Sequence, residues 1–124
     1  MPMLAEKSSS TQQFRAQRKL SRADNQAVSF RASDVTYAES LNRVRIVHLK
    51  SGESIQINMT LAQIAEALPL HQFLYCHRSV VVNLSCVKST NSTELTLYDG
   101  TKLPMSRRRY QDFKAAAAKA GFTI

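Results

Sequence analysis

The chain has 124 residues, enough for one domain with a single modest core and too few for two. Its 44% apolar content supports a globular body, and 17 Lys and Arg against 9 Asp and Glu leave a net charge of +8, which favours a polyanionic partner such as nucleic acid or an anionic membrane face. No window approaches the roughly eighteen apolar residues of a membrane-spanning helix, and the N-terminus has no apolar signal segment, so a soluble, cytoplasmic chain is expected.

Residues 1–26 read as a basic, flexible tail or linker, and residues 27–124 as the folded domain. The tail holds a run of three serines, several glutamines and few large apolar side chains, too little to offset the entropy of ordering it. From Val28 the pattern turns to period two: Val28, Phe30 and Ala32 share a face, then Val35 and Tyr37 follow. Val44 to Leu49 is expected as a second strand after a loop at residues 39–43. The turn at residues 50–53 returns the chain onto Ser54 to Asn58, an antiparallel meander. Residues 59–68 predict a helix: Thr60 caps it, Gln63 completes a capping box, and Met59 and Ile64 form a hydrophobic staple. Leu61, Ile64, Ala65 and Leu68 make one apolar stripe, read as core, and Pro69 ends the helix.

Residues 73–83, Phe-Leu-Tyr-Cys-His-Arg-Ser-Val-Val-Val-Asn, are strand-like at both ends and interrupted by His77, Arg78 and Ser79. Removing an unpaired guanidinium from water costs several kcal/mol, so this triplet is expected at an exposed turn with Arg78 facing outward. Cys76 and Cys86 are too few for a disulfide framework or a thiol zinc cluster, and reduced thiols are expected. Cys76 adjoins His77 and Arg78, a setting that lowers a thiol's pKa and favours oxidation; the plainer reading is a small apolar side chain in a strand.

A short strand near Val87, a polar turn at residues 90–93 and the alternating strand 94–98 come next. Asp99-Gly100 signals a two-residue turn with positive φ, and residues 102–105 return as the partner strand. Ser106-Arg107-Arg108-Arg109-Tyr110 opens a last helix with Tyr110, Phe113 and Ala117 on one face and Gly121 at its end. Three arginines in a first turn oppose the helix dipole by a few tenths of a kcal/mol or more each, and such a broken rule marks function. Free amides, a serine hydroxyl and guanidinium groups together suit phosphate, and an arginine can also reach a base edge.

Three basic sites thus stand out: Asn42 with Arg43, His77 with Arg78, and Arg107 to Arg109. Arginine bonds guanine O6 and N7 together, and asparagine suits adenine. No His-x-x-x-His spacing, Gly-rich phosphate loop or strained serine turn points to an enzyme, a metal or a cofactor. An RNA-binding module or, less well supported, a nuclease using His77 are the alternatives; few aromatics are available for base stacking.

Cys-His-Arg-Ser-Val-Val-Val-Asn, followed by Asp99-Gly100 and by Leu-Pro-Met-Ser-Arg-Arg-Arg-Tyr ending at Tyr110, resembles the signature of the LytTR family of bacterial DNA-binding domains over residues 28–118. The resemblance implies a mainly β, elongated fold of packed antiparallel sheets with short edge helices, whose loops enter successive major grooves of double-stranded DNA. It implies base contacts from Arg43, Arg78 and Arg108, with Asn42, His77, Ser79, Ser106, Arg107 and Arg109 serving phosphates or orientation. It further implies a transcriptional regulator, like the output halves of two-component response regulators, acting as two copies on direct-repeat sites. Members usually carry a receiver domain ahead of this module, and residues 1–26 are too few to form one. The first loop is short and lacks an aromatic common in the family, and Val80 also replaces a frequent aromatic.

Overall fold

Three consecutive valines, Val80, Val81 and Val82, set the layering of the chain. The computed structural model describes residues 11–18, 27–69 and 71–124, with side chains from Phe30 onward. Within them a seven-stranded antiparallel sheet runs in the order β2-β1-β5-β4-β3-β7-β6. Its strands are β1 (Thr11–Arg18), β2 (Ala27–Arg31), β3 (Val35–Leu41), β4 (Val44–Leu49), β5 (Ser54–Ile57), β6 (Phe73–His77) and β7 (Val80–Asn83). A separate three-stranded sheet, ordered β10-β9-β8, is built from β8 (Val87–Thr90), β9 (Glu94–Leu97) and β10 (Lys102–Pro104). The helices are α1 (Leu61–Glu66) and α2 (Arg107–Lys119).

Alternation on β7 sends successive valines to opposite faces of the large sheet. Val81 joins a core with Ala38, Val47, Ile55, Ile57, Phe73 and, from α1, Leu61 and Ile64. Val80 and Val82 join a second core with Cys76, Leu95, Leu97, Leu103, Met105 and, from α2, Phe113 and Ala117. Every residue of β7 is buried, so one strand ties both halves of the molecule together.

Asn83 ends β7 with no solvent exposure, and both its amide nitrogen and its amide oxygen have partners. Its Nδ2 donates to the Val35 carbonyl at 2.8 Å, and its Oδ1 accepts from Ser85 N at 2.9 Å, Ser85 Oγ at 2.8 Å and Gln72 Nε2 at 3.3 Å. A buried amide satisfied on both ends fixes β3, the approach to β6 and the turn leading to β8 in one arrangement.

α1 starts as the sequence predicts: Thr60 Oγ1 accepts from Gln63 N at 3.1 Å, and Gln63 Oε1 accepts from Thr60 N at 2.9 Å. The regular helix is shorter than residues 59–68, with its C-cap at Ala67. α2 closes with a Schellman arrangement in which Phe122 N donates to Ala117 O and Gly121 N to Ala118 O, with Gly121 at φ 93°.

Other expectations change. Thr11–Arg18, part of the expected tail, is a strand inserted between β2 and β5, with Gln12 opposite Phe30 and Gln17 opposite Gln56. The rest of residues 1–26 lies outside the described residues. The strand follows from backbone pairing along the open edge of β5, a demand that apolar patterning does not report. The loop expected at residues 39–43 shrinks to Asn42 and Arg43, because β3 continues through Leu41. The Asp99-Gly100 turn is a three-residue connection: Leu97 N donates to Thr101 O, Gly100 N to Leu97 O, and only Gly100 has positive φ there. Asp99 Oδ1 accepts from Thr101 N at 2.9 Å, and that bond is the main reason its carboxyl titrates below the usual range.

Replacing Asn83 by Ala leaves the Val35 carbonyl and the Ser85 amide without their partner. The expected loss is about 2–4 kcal/mol, read as a lower urea midpoint at unchanged slope; an unchanged midpoint would remove Asn83 from its place in the fold.

Candidate nucleic-acid interface

Antiparallel pairing puts two chain reversals at one end of the large sheet, Asn42–Arg43 and Arg78–Ser79. β3 runs toward Asn42, β6 runs toward Arg78, and β7 leaves from Ser79 beside β3, with Glu39 opposite Val80. Ser40 N donates to Ser79 O at 2.9 Å, which joins the two turns directly. At the same end Ser106 N donates to Cys76 O at 2.8 Å and pins the start of α2 beside the His77–Arg78 turn. The three basic sites read from the sequence are therefore neighbours on one rigid end.

Asn42 and Arg43 form the β3–β4 turn, with φ of 51° and 68°. Positive φ at both central positions belongs to a type I′ turn, whose twist matches the flanking strands. Arginine is an unusual occupant, and the strain is held by its neighbour: Arg45 Nη1 donates to the Arg43 carbonyl at 3.0 Å while Arg45 Nε donates to Met59 O at 2.7 Å. The Arg43 side chain is exposed. Arg45 was not singled out from the sequence; its place two residues after the turn, on a strand otherwise apolar apart from His48, was the available signal.

Arg78 is exposed at the β6–β7 turn, as expected. His77 is half-buried, and its Nδ1 accepts from Ser79 N at 3.2 Å and lies 2.9 Å from Ser79 Oγ. A backbone N–H can only donate, so Nδ1 is the unprotonated nitrogen and Nε2–H remains a donor. Ser79 thus orients His77 as well as closing the turn.

Ser106 is the N-cap of α2, without a side-chain cap bond, and Arg107, Arg108 and Arg109 are exposed in the first turn. Arg109 lies over the Tyr75 ring at 5.3 Å from its centroid, which fixes that guanidinium against β6. Tyr75 is a second supporting residue that sequence reasoning did not identify. Arg107 and Arg108 project from the same turn with no ion pair among the described residues.

Cys76 differs from the oxidisable thiol its sequence neighbours suggest. It is fully buried, its Sγ lies 4.0 Å from Val80 O, and desolvation pushes its pKa up to about 12 against a smaller opposing pull from Arg109. Half-buried Cys86 is also shifted upward, again chiefly by burial. His48 and His71 lie apart from the basic end: His48 Nε2 meets Glu39 Oε2 at 2.7 Å on the sheet face, its ring stacked on Tyr37, while His71 is exposed ahead of β6. Among the described residues no helix is long and apolar enough to cross a membrane.

Two packed antiparallel sheets with few helices, carrying guanidinium groups on three adjoining turns at one end, define a mainly β nucleic-acid-binding module. The sequence model of the LytTr DNA-binding domain matches residues 25–118, and the chain belongs to that family. It is similar to the transcriptional regulatory protein YpdB of Escherichia coli K12, at 30% identity over 88 residues, 66% of this chain and 36% of that protein. YpdB of Shigella flexneri matches to the same extent. The chain therefore spans about a third of the length of these relatives. The fold matches the LytTr DNA-binding domain of a putative methyl-accepting/DNA response regulator from Bacillus cereus, with a TM-score of 0.69 at 22% identity over 86% of this chain and 94% of that one.

At about pH 8 iodoacetamide should label Cys86 ahead of Cys76 in the folded chain, because the thiolate is the reacting species. Raising the pH should speed labelling of Cys86, while Cys76 reacts only as the chain unfolds. Mass spectrometry of quenched samples checks this, and equal labelling would contradict the burial of Cys76.

Proposed function

We propose that this domain binds double-stranded DNA sequence-specifically through the major groove and serves as the DNA-reading part of a bacterial transcriptional regulator in the cytoplasm. The observation that carries the reading is the joining of three basic turns at one end by the Ser40–Ser79 and Ser106–Cys76 backbone bonds. Groups held in fixed relation bind a repeating partner without first losing the entropy of assembling themselves.

In this reading Arg43, Arg78 and Arg108 reach base edges. Each carries a planar fork that suits guanine O6 and N7, and each is exposed at the tip of a turn or the start of a helix. Asn42 supports the first turn. His77 offers Nε2–H to a phosphate or a base acceptor, with Ser79 setting its tautomer. Ser106 and Arg107 contact phosphate at the amino end of α2, where free amides favour an anion. Arg109, held on Tyr75, supplies positive charge from a fixed position.

The net charge of +8 adds a salt-sensitive attraction independent of sequence. Two copies on direct repeats about one helical turn apart would present the same end to successive grooves. Residues 1–26 act as a basic linker ahead of the reading module, with Thr11–Arg18 lending a strand to its sheet. The domain works by binding alone, without catalysis, metal or cofactor.

Replacing Arg108 by Ala should weaken binding to a duplex selected from a random pool by about tenfold to a hundredfold, matching about 1–3 kcal/mol for a good bidentate base contact. The loss on unrelated duplex should be much smaller. Fluorescence anisotropy across a salt series measures both. Equal losses on the two duplexes would reduce Arg108 to a phosphate contact.

A further inference from the structure

Leu41 has no packing reason to be where it is. It is 53% exposed, one of two large apolar side chains so exposed among the described residues, and it belongs to neither core. The other, Tyr98, is 71% exposed at the β9–β10 turn and lies away from the basic end. Leu41 is the last residue of β3, paired with Val44 across the type I′ turn that carries Asn42 and Arg43. A polar side chain would close the same turn and leave less apolar surface in water.

Register fixes the direction of Leu41. Glu39 lies opposite Val80, and two residues on, Leu41 lies on the same face as Glu39 and Val80. That is the face on which α2 and the small sheet pack, since Val80 belongs to the core with Phe113 and Leu95. The Ser40–Ser79 bond holds this part of β3 beside the Arg78–Ser79 turn, so Leu41 stands between the two arginine-bearing turns, on the side from which α2 begins. The strand pairing and the Arg45 brace on the turn fix its backbone on both sides.

We propose that Leu41 is a specificity residue that packs against the C5-methyl group of a thymine in the major groove. The inference rests on the DNA-binding reading above and adds a chemistry that arginine lacks. In the major groove thymine presents one acceptor and one methyl group, and the methyl is recognised by apolar contact. A fixed aliphatic side chain among guanidinium groups supplies that contact, and burying it against a methyl excludes water from both. The end of the domain then reads guanine by charge-assisted hydrogen bonds and thymine by apolar contact.

The test pairs a change in the protein with a change in the DNA. A duplex is selected from a random pool by the unaltered chain, and each thymine is replaced in turn by deoxyuridine, which removes only the methyl. The unaltered chain should lose about threefold to tenfold in affinity at one thymine of each half-site, the effect of losing one to two buried methyl-sized groups. Leu41→Ala should lose a similar factor on the thymine duplex and be insensitive to the deoxyuridine at that position, with binding to unrelated duplex unchanged. Leu41→Met, which keeps an apolar side chain, should retain most of the preference. If every deoxyuridine substitution is neutral for the unaltered chain, or costs it and Leu41→Ala equally, the assignment is wrong even where Arg108→Ala loses far more on the selected duplex than on unrelated duplex. If no duplex is selected at all, the DNA-binding reading falls and this inference with it.

Discussion

β7 is the strand on which the molecule depends, because it is buried on both faces and closed by Asn83. Val81 on one side and Val80 with Val82 on the other belong to different cores, so neither half can shift without disturbing the strand they share. Close-packed interiors do not deform smoothly, and an amide satisfied by β3, Gln72 and Ser85 adds a directional lock at the far end of the strand. The near end of the same strand begins at Ser79. The rigidity of the core is thereby delivered to the turn that displays Arg78.

That delivery explains how a small domain can hold several cations close together. Like charges repel, and three arginines in the first turn of α2 also oppose the helix dipole. The fold offsets this locally with fixed partners: Tyr75 under Arg109, the Arg43 carbonyl and Met59 O for Arg45, and the backbone bonds from Ser40 and Ser106. Among the described residues Arg43, Arg78, Arg107 and Arg108 have no such fixed partner and are exposed at one end. A polyanion meeting that end would find these cationic groups already placed.

Much of this was legible in the chain itself. The Thr60–Gln63 box, the apolar stripe of α1, the Schellman end at Gly121 and the polar interruption at residues 77–79 are local signals, and local hydrogen bonding or periodicity decides them. The motif around residues 76–83 and 103–110 named the family that the comparisons show. Less legible were features decided by distant chain. Thr11–Arg18 is a strand because β5 has an edge to fill, and its own composition reads as tail. The Asn42–Arg43 turn lacks the glycine that announces a type I′ turn, and the brace from Arg45 depends on where Met59 falls in space. For Cys76 the plainer of two readings holds, a small apolar side chain in a strand: its sequence neighbours are cations, but burial outweighs them. Leu41 falls in the loop expected at residues 39–43, and only the strand pairing and its exposure show it as an uncovered apolar side chain at the end of β3.

The central claim is that one end of the domain, held as a single body, meets DNA. The most direct measurement is a titration of the isotope-labelled chain with a selected duplex, following backbone amide signals by NMR. The account predicts that Asn42 and Arg43, Arg78 and Ser79, and Arg107 to Arg109 shift together along one binding curve, while Lys50, Tyr98 and Gly100 stay where they are. Separate curves for the three turns would contradict the single rigid end. Shifts centred on Tyr98 and Gly100 would place the DNA on the wrong side of the molecule and contradict the account altogether.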